Sequence, residues 1–200
     1  MHPPLLTPPP PTHTPSSSSF FAGHECKLVT AFEGGVIQYL ATNGNTEPAK
    51  NPHTSGEVLA AMSSIGYSGG PSRLVEQRHD GSTRNYTKDE PNQWVAVDLG
   101  KDRSLVPSDY CARHGATSGY SRLRSWDFEG SNDGSNYTVL RSHKNDDSLP
   151  DQGFSVAAWK VEGANQAYRY FRIRQTGENS YHDHTLSCAG IELYGMLRSR

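Results

Sequence analysis

No stretch of this 200-residue chain is apolar for anything near the ~20 residues that a bilayer-spanning helix needs. Charge is scarce in blocks as well. Nineteen Lys and Arg stand against 21 Asp and Glu, a net charge of −2, and no run of one sign occurs. A nucleic acid or another polyanion therefore finds no basic footprint, and neither nucleic acid nor membrane is expected as a partner. Cysteine is rare: Cys26, Cys111 and Cys188 make an odd number without metal-ligand spacing. Buried free thiols in a reducing compartment are expected, and with them an intracellular, cytoplasmic protein. Helical periodicity is absent over any long window. Catalytic signatures are missing too. There is no Gly-x-Ser-x-Gly elbow and no His-Glu-x-x-His pair. Ser68-Gly69-Gly70 runs into Pro71 and has no strand-then-helix setting for a phosphate loop. Asp98 and Asp127 fall on separate strand-like segments and form no carboxylate pair, so no enzyme is expected.

Hydrophobic residues make up 34% of the chain and the mean hydropathy is −0.72, lean for a packed domain. Part of the deficit lies in residues 1–20, with Pro8-Pro9-Pro10-Pro11 and Ser16-Ser17-Ser18-Ser19. Such a segment buries too little apolar surface to offset chain entropy, and it reads as a disordered tail. It lacks the basic start and apolar centre of a secretory signal. A polyproline ligand for a partner is the alternative reading. One folded domain is expected over residues 21–200. The sequons Asn85-Tyr86-Thr87 and Asn136-Tyr137-Thr138 carry no meaning without secretion.

What the chain does have is alternation. Residues 123–140 read as one β-hairpin, with Trp126 and Phe128 on the inward face and Asp127 and Glu129 on the wet one. Asn132-Asp133-Gly134 supplies the turn, since Asp and Gly tolerate positive φ. Val95, Val97 and Leu99 define the core face of a second strand. Residues 105–114 make a third, where Pro107 marks an edge or a bulge. Further strands are expected at 156–161, at 168–174 with Phe171 and Ile173 inward, and at 191–195 with Ile191 and Leu193 inward. Residues 36–40 also read as a strand, and 55–65 as a helical turn or a strand. Trp94, Trp126 and Trp159 are expected to fill the core. Many short strands with turn residues between them predict an all-β fold, an antiparallel β-sandwich.

Particular motifs narrow this class. Trp94-Val95-Ala96-Val97-Asp98-Leu99-Gly100, Ser131-Asn132-Asp133-Gly134, and Tyr170-Phe171-Arg172-Ile173 followed by Ile191-Glu192-Leu193-Tyr194-Gly195 resemble the galactose-binding-like, or discoidin (F5/8 type C), jelly roll. Asn51-Pro52-His53-Thr54-Ser55-Gly56, Arg113-His114-Gly115, the stretch from Leu123-Arg124-Ser125 into the hairpin, and Arg172-Ile173-Arg174-Gln175-Thr176-Gly177 resemble its intracellular branch, found in HECT-type ubiquitin ligases and BTB-domain proteins. The resemblance spans residues 32–197. It implies a non-catalytic recognition domain that recruits a protein partner or substrate. Carbohydrate binding, or a purely structural place in a larger ligase chain, is the alternative. Nothing in the chain resembles a HECT lobe, a BTB domain or a RING.

Strand direction locates the binding end. Antiparallel strands reverse at every step, so alternate loops share one end of a sandwich. Counting back from the last strand, the loops 175–185, 143–154, 115–120 and 82–92 fall together. The tight turns at 100–102, 132–134 and 162–164 fall at the other end. The long-loop end carries the candidate ligand-binding residues Tyr86, Arg113, His114, Tyr120, Arg122, His143, Tyr181, His182 and His184, with Lys88, Asp146 and Asp147 nearby. Tyr120 or Tyr181 with Arg113 and His114 suits a sugar; Arg113, Arg122 and Arg124 suit a carboxylate or phosphate. His182-Asp183-His184 lacks a third metal ligand, and Asn145-Asp146-Asp147 fits a turn better than calcium. No metal and no cofactor are expected.

Overall fold

The computed structural model describes residues 22–77, 81 and 84–200; the tail read at residues 1–20 lies outside them. In chain order the elements are β1 (Ala22–Cys26), α1 (Val36–Ala41), β2 (Leu59–Met62), a 3-10 turn (Pro71–Val75), β3 (Tyr86–Asp89), β4 (Trp94–Asp98) and β5 (Arg103–His114), then β6 (Trp126–Ser131), β7 (Thr138–His143), β8 (Val156–Lys160), β9 (Tyr170–Gln175) and β10 (Thr185–Ser199). One sheet runs β1-β10-β5-β8, with β3 added beside the start of β10. The second runs β2-β4-β9-β6-β7. Every pairing is antiparallel. The two sheets face each other as a sandwich, the all-β class that the alternation predicts.

The core lies between the sheets. Val95, Val97, Phe128, Phe171 and Ile173 from the second sheet meet Tyr110, Ala112, Ile191 and Leu193 from the first, all buried. The Tyr110 ring stacks on Phe128 at 3.9 Å between centroids. Trp126 and Trp159 fill the core as expected, but Trp94 does not. It precedes Val95 on β4, so it points to the outer face and is half-buried there. The hairpin β6–β7 forms as read, with Gly134 at φ 73° in the turn.

Two readings change, at residues 36–40 and at Glu129, and two open ones resolve. Residues 36–40 are helical, within α1. The β-branched pair Val36-Ile37 favours a strand locally, yet the helix is held from far away. Glu192 on β10 accepts hydrogen bonds from the Ile37 and Gln38 amides, at 2.7 and 2.9 Å. Gly35 allows this approach, because a Cβ there would lie 2.3 Å from the Glu192 carboxyl carbon. Residues 59–62 are strand β2 rather than a helical turn, paired along β4. Pro107 marks a bulge and not an edge, since β5 runs between β10 and β8 and its register slips at Gly195. Glu129, expected to stay wet, is buried. Arg172 and Arg174 of the neighbouring β9 cover its carboxylate at 2.6 and 3.0 Å.

Cys26, Cys111 and Cys188 are free and buried. Burial pushes the Cys26 and Cys111 thiols up to about 12, which keeps both protonated at neutral pH.

Candidate functional site

Strand register brings the long loops to one end. His114 closes β5 opposite Cys188, near the start of β10. Arg113 faces Val156, the first residue of β8. His143 ends β7 opposite Trp126, which itself faces Gln175 at the end of β9. Trp94 opens β4 opposite Arg174. Segments 84–93, 115–125, 144–155 and 176–184 therefore gather at that end. Backbone bonds knit them together: Asn85 N–H to Gly115 O, Phe154 N–H to Ala116 O, Ser180 N–H to Arg122 O, and Asp146 N–H to Arg124 O, all within 3.0 Å.

The gathered loops leave a cleft of about 610 Å³ lined by Arg122, Arg124, Ser125, Asn145, Gly177, Glu178, Asn179, Ser180 and His182. Tyr120 stands two residues before Arg122 in sequence and Tyr181 between two of these lining residues, and their rings lie 5.2 Å apart at 50°. They are 66% and 60% exposed, which is unusual for two large rings in mutual contact. Arg124 donates one bond to the Asn145 carbonyl at 3.1 Å. Arg122 holds the carboxylate of Asp151 at 2.8 Å; Arg122 is 15% exposed and Asp151 78%. His182 is exposed, with φ 61°, and its Nδ1 lies 3.5 Å from Glu178 Oε2.

Other candidates are turned inward. His114 is fully buried, and its Nε2 sits 3.0 Å from the Ser118 carbonyl, tying down the loop. Burial holds its pKa below the usual histidine value, so it is neutral. Arg113 projects from the outer face of its sheet and lays its guanidinium 4.0 Å over the Phe32 ring. Tyr86 is buried beside the exposed Tyr67, and burial pushes its hydroxyl up to about 12. His184 is half-buried, and its backbone N–H donates to Asp89. Among the described residues no three His, Cys, Asp or Glu side chains gather as a metal-binding group. No helix there is long and apolar enough to cross a membrane.

His143 belongs to a buried relay. The Trp126 indole N–H donates to the Tyr110 hydroxyl at 2.8 Å. That hydroxyl lies 2.8 Å from His143 Nε2, and His143 Nδ1 lies 2.6 Å from Asp146 Oδ2. Burial alone would raise Asp146, but bonds from Ser148 and His143 hold its pKa below the usual carboxylate value. An ionised Asp146 only accepts, so His143 donates through Nδ1 and accepts the hydrogen bond of the Tyr110 O–H at Nε2. Burial keeps this histidine neutral, against the pull of Asp146. The relay has a surface consequence. Asp146 N–H bonds the Arg124 carbonyl, and the adjacent Asn145 bonds both Ser125 Oγ and the Arg124 side chain. The core thus fixes one wall of the cleft.

The opposite wall is set by Asn179, which the sequence reading passed over. Its buried amide accepts the Tyr181 N–H at 2.8 Å and donates to the Thr185 carbonyl at 2.9 Å. Gly177-Glu178-Asn179-Ser180 carries the turn composition that could have flagged it. The short-turn end also has a cleft, about 290 Å³, lined among others by Lys101, Arg103 and Arg169. Arg169 is taken by two 2.6 Å bonds to Asp98, and Arg103 by Glu57.

A sandwich with its long loops at one end is the class these features define. Residues 59–189 match the family model of the F5/8 type C domain, and the chain belongs to that family. It is similar to the E3 ubiquitin-protein ligase Ufd4 of Drosophila melanogaster, 37% identical over 172 residues. The match covers 82% of this chain and 6% of Ufd4. It is similar to the E3 ubiquitin-protein ligase hecd-1 of Caenorhabditis elegans, 36% identical over 175 residues, covering 86% of this chain and 6% of hecd-1. The chain therefore spans about 6% of the length of these relatives. Among solved structures it resembles CpGH89CBM32-5 from Clostridium perfringens in complex with GalNAc-beta-1,3-galactose. That likeness has a TM-score of 0.53 at 16% identity, over 70% of this chain and 96% of the other. It bears on the fold alone.

Proposed function

We propose that this chain is a non-catalytic binding module that recruits a protein partner through its long-loop end, as an intracellular domain of the ubiquitin-ligase type. The observation that carries the reading is the exposed Tyr120–Tyr181 pair beside a cleft holding Arg122 and Arg124. Large rings offer contact area at little entropic cost, and arginine forks recognise carboxylates and carbonyls; both residue types concentrate at interaction hot spots. The similarity to two ubiquitin ligases supports a role in bringing a substrate or adaptor to a larger polypeptide.

The test is affinity capture with the wild-type chain, identification of the captured protein, and repetition with Tyr120→Ala and Tyr181→Ala. Both side chains are exposed, so melting should move by no more than about 2 °C. Loss of the same identified protein in both variants is expected. Retention in both removes the long-loop end from the account.

A second reading has one specific observation behind it. Paired exposed tyrosines beside polar forks also suit a sugar ring, and the fold is shared with a module solved with a bound disaccharide. Saturable galactose binding at or below millimolar concentration would favour it over protein recruitment.

A further inference from the structure

Resting on that reading of the long-loop end, we infer that the cleft takes an anionic side chain of an extended peptide, carboxylate or phosphate, gripped by Arg122 and Arg124. The first observation concerns Arg122, which already binds a carboxylate that belongs to the protein itself. Asp151 reaches across from segment 144–155 and meets the guanidinium at 2.8 Å. Asp151 is 78% exposed, so solvent competes freely for it, whereas Arg122 is held at 15% exposure with its backbone fixed on both sides by Ser180. A fixed arginine carrying a loosely held internal anion is a site occupied by a stand-in. With one partner so open to water, this ion pair holds its anion weakly. A ligand anion that also reaches Arg124 replaces it with two charge-assisted contacts.

The second observation is the state of Arg124. Among the described residues its side chain bonds the Asn145 carbonyl, a neutral acceptor, and no carboxylate there neutralises it. The remaining N–H groups of its fork have the geometry for a carboxylate or phosphate. The buried relay through His143 and Asp146 holds the Arg124 backbone carbonyl, and the Asn145 carbonyl holds its side chain, which lowers the entropy lost on binding. A further feature fits a peptide. Tyr120 and Tyr181 stand beside the cleft, where a residue flanking the anion would pack. Glu178 also lines the cleft, 3.5 Å from His182 Nδ1; it repels an anion on its own side and leaves the Arg122–Arg124 side as the attractive one.

Asp151 therefore acts as a competitor for the ligand, and this separates the proposal from a generic basic patch. Amide chemical-shift mapping of the chain is the test, titrated with N-acetyl-O-phosphoserine methylamide, N-acetylglutamate methylamide and, separately, galactose. The expected result is a saturable shift at residues 122–125, 145 and 177–182 with at least one of the two anionic probes. It weakens by about tenfold in Arg124→Gln, the order expected for a lost hydrogen bond to a charged group. It strengthens by about threefold in Asp151→Asn, which removes an exposed ion pair. The relative response to the two anionic probes tells phosphate from carboxylate. The proposal is overturned if neither anion gives a saturable shift up to about 50 mM, a limit beyond millimolar affinity. It is also overturned if Arg124→Gln leaves the response unchanged, or if Asp151→Asn fails to strengthen it. Galactose binding without anion binding overturns the anion while leaving the long-loop end as the site. Partner capture that survives Tyr120→Ala and Tyr181→Ala overturns the site itself.

Discussion

Buried titratable groups of two kinds pull the stability of this domain in opposite directions as pH changes. Glu192 is fully buried, and that burial raises its pKa from 4.5 to about 7 despite three backbone N–H donors. The folded state holds this proton more tightly than the unfolded chain does. The group therefore favours folding fully below about pH 4.5 and loses that contribution as pH rises to about 7. The shift corresponds to a contribution on the order of 3 kcal/mol. His143 and His114 have the opposite sign. Burial lowers both, so their contribution is present above the ordinary histidine pKa of 6.5 and fades as pH falls below it. Urea unfolding of the wild type and Glu192→Gln from pH 4.5 to 8 separates them. The difference between the two proteins should move in the variant's favour as pH rises and flatten above about pH 7. A pH-independent difference would remove the buried-carboxylate account. The relay offers a second residue-scale prediction. Tyr110→Phe deletes the hydroxyl that serves both Trp126 and His143 and leaves two buried polar groups without it. Equilibrium unfolding should register a loss of roughly 1–3 kcal/mol for each group left unsatisfied.

At the scale of elements, the irregular positions carry the sharpest demands. Gly195 sits at φ 135° where the β5–β10 register slips past Pro107, and a Cβ there would lie 2.1 Å from the Val106 carbonyl oxygen. Gly195→Ala should destabilise the domain by about 1–3 kcal/mol, measured by thermal or urea unfolding. A neutral result would mean that the bulge relaxes freely. This bulge was half-legible in the sequence, because proline in a strand signals an interruption without saying whether it is an edge. The β6–β7 hairpin was legible outright, since alternation and an Asn-Asp-Gly turn are local signals. Helix α1 was not. Its Val36-Ile37 start is locally strand-like, and the carboxylate that holds its first turn comes from residue 192. Glu129 was misread for the same reason, because the arginines that cover it belong to a neighbouring strand more than forty residues away.

For the whole molecule, the same distinction divides the candidate site. Strand parity alone gathered the long loops at one end, and Tyr120, Arg122, Tyr181 and His182 stand there around or beside one cleft. Parity does not say which way a side chain turns. His114 and His143 lie at strand ends, where burial in the sandwich competes with exposure in the loops, and both are drawn inward. Tyr67 makes the converse case: it is 83% exposed beside Tyr86 and carried no pattern that could mark it. The domain is thus polarised, with exposed tyrosines and an arginine-lined cleft at the long-loop end, where we propose recognition, and internally satisfied arginines at the other. The most direct test of that polarity is photo-crosslinking in cells, with the reactive residue at position 181 in one protein and at position 101 in another. An identified protein crosslinked from position 181, absent from position 101 and lost on Tyr120→Ala, is the predicted result. Equal crosslinking from both positions, or crosslinking from position 101 alone, would contradict it.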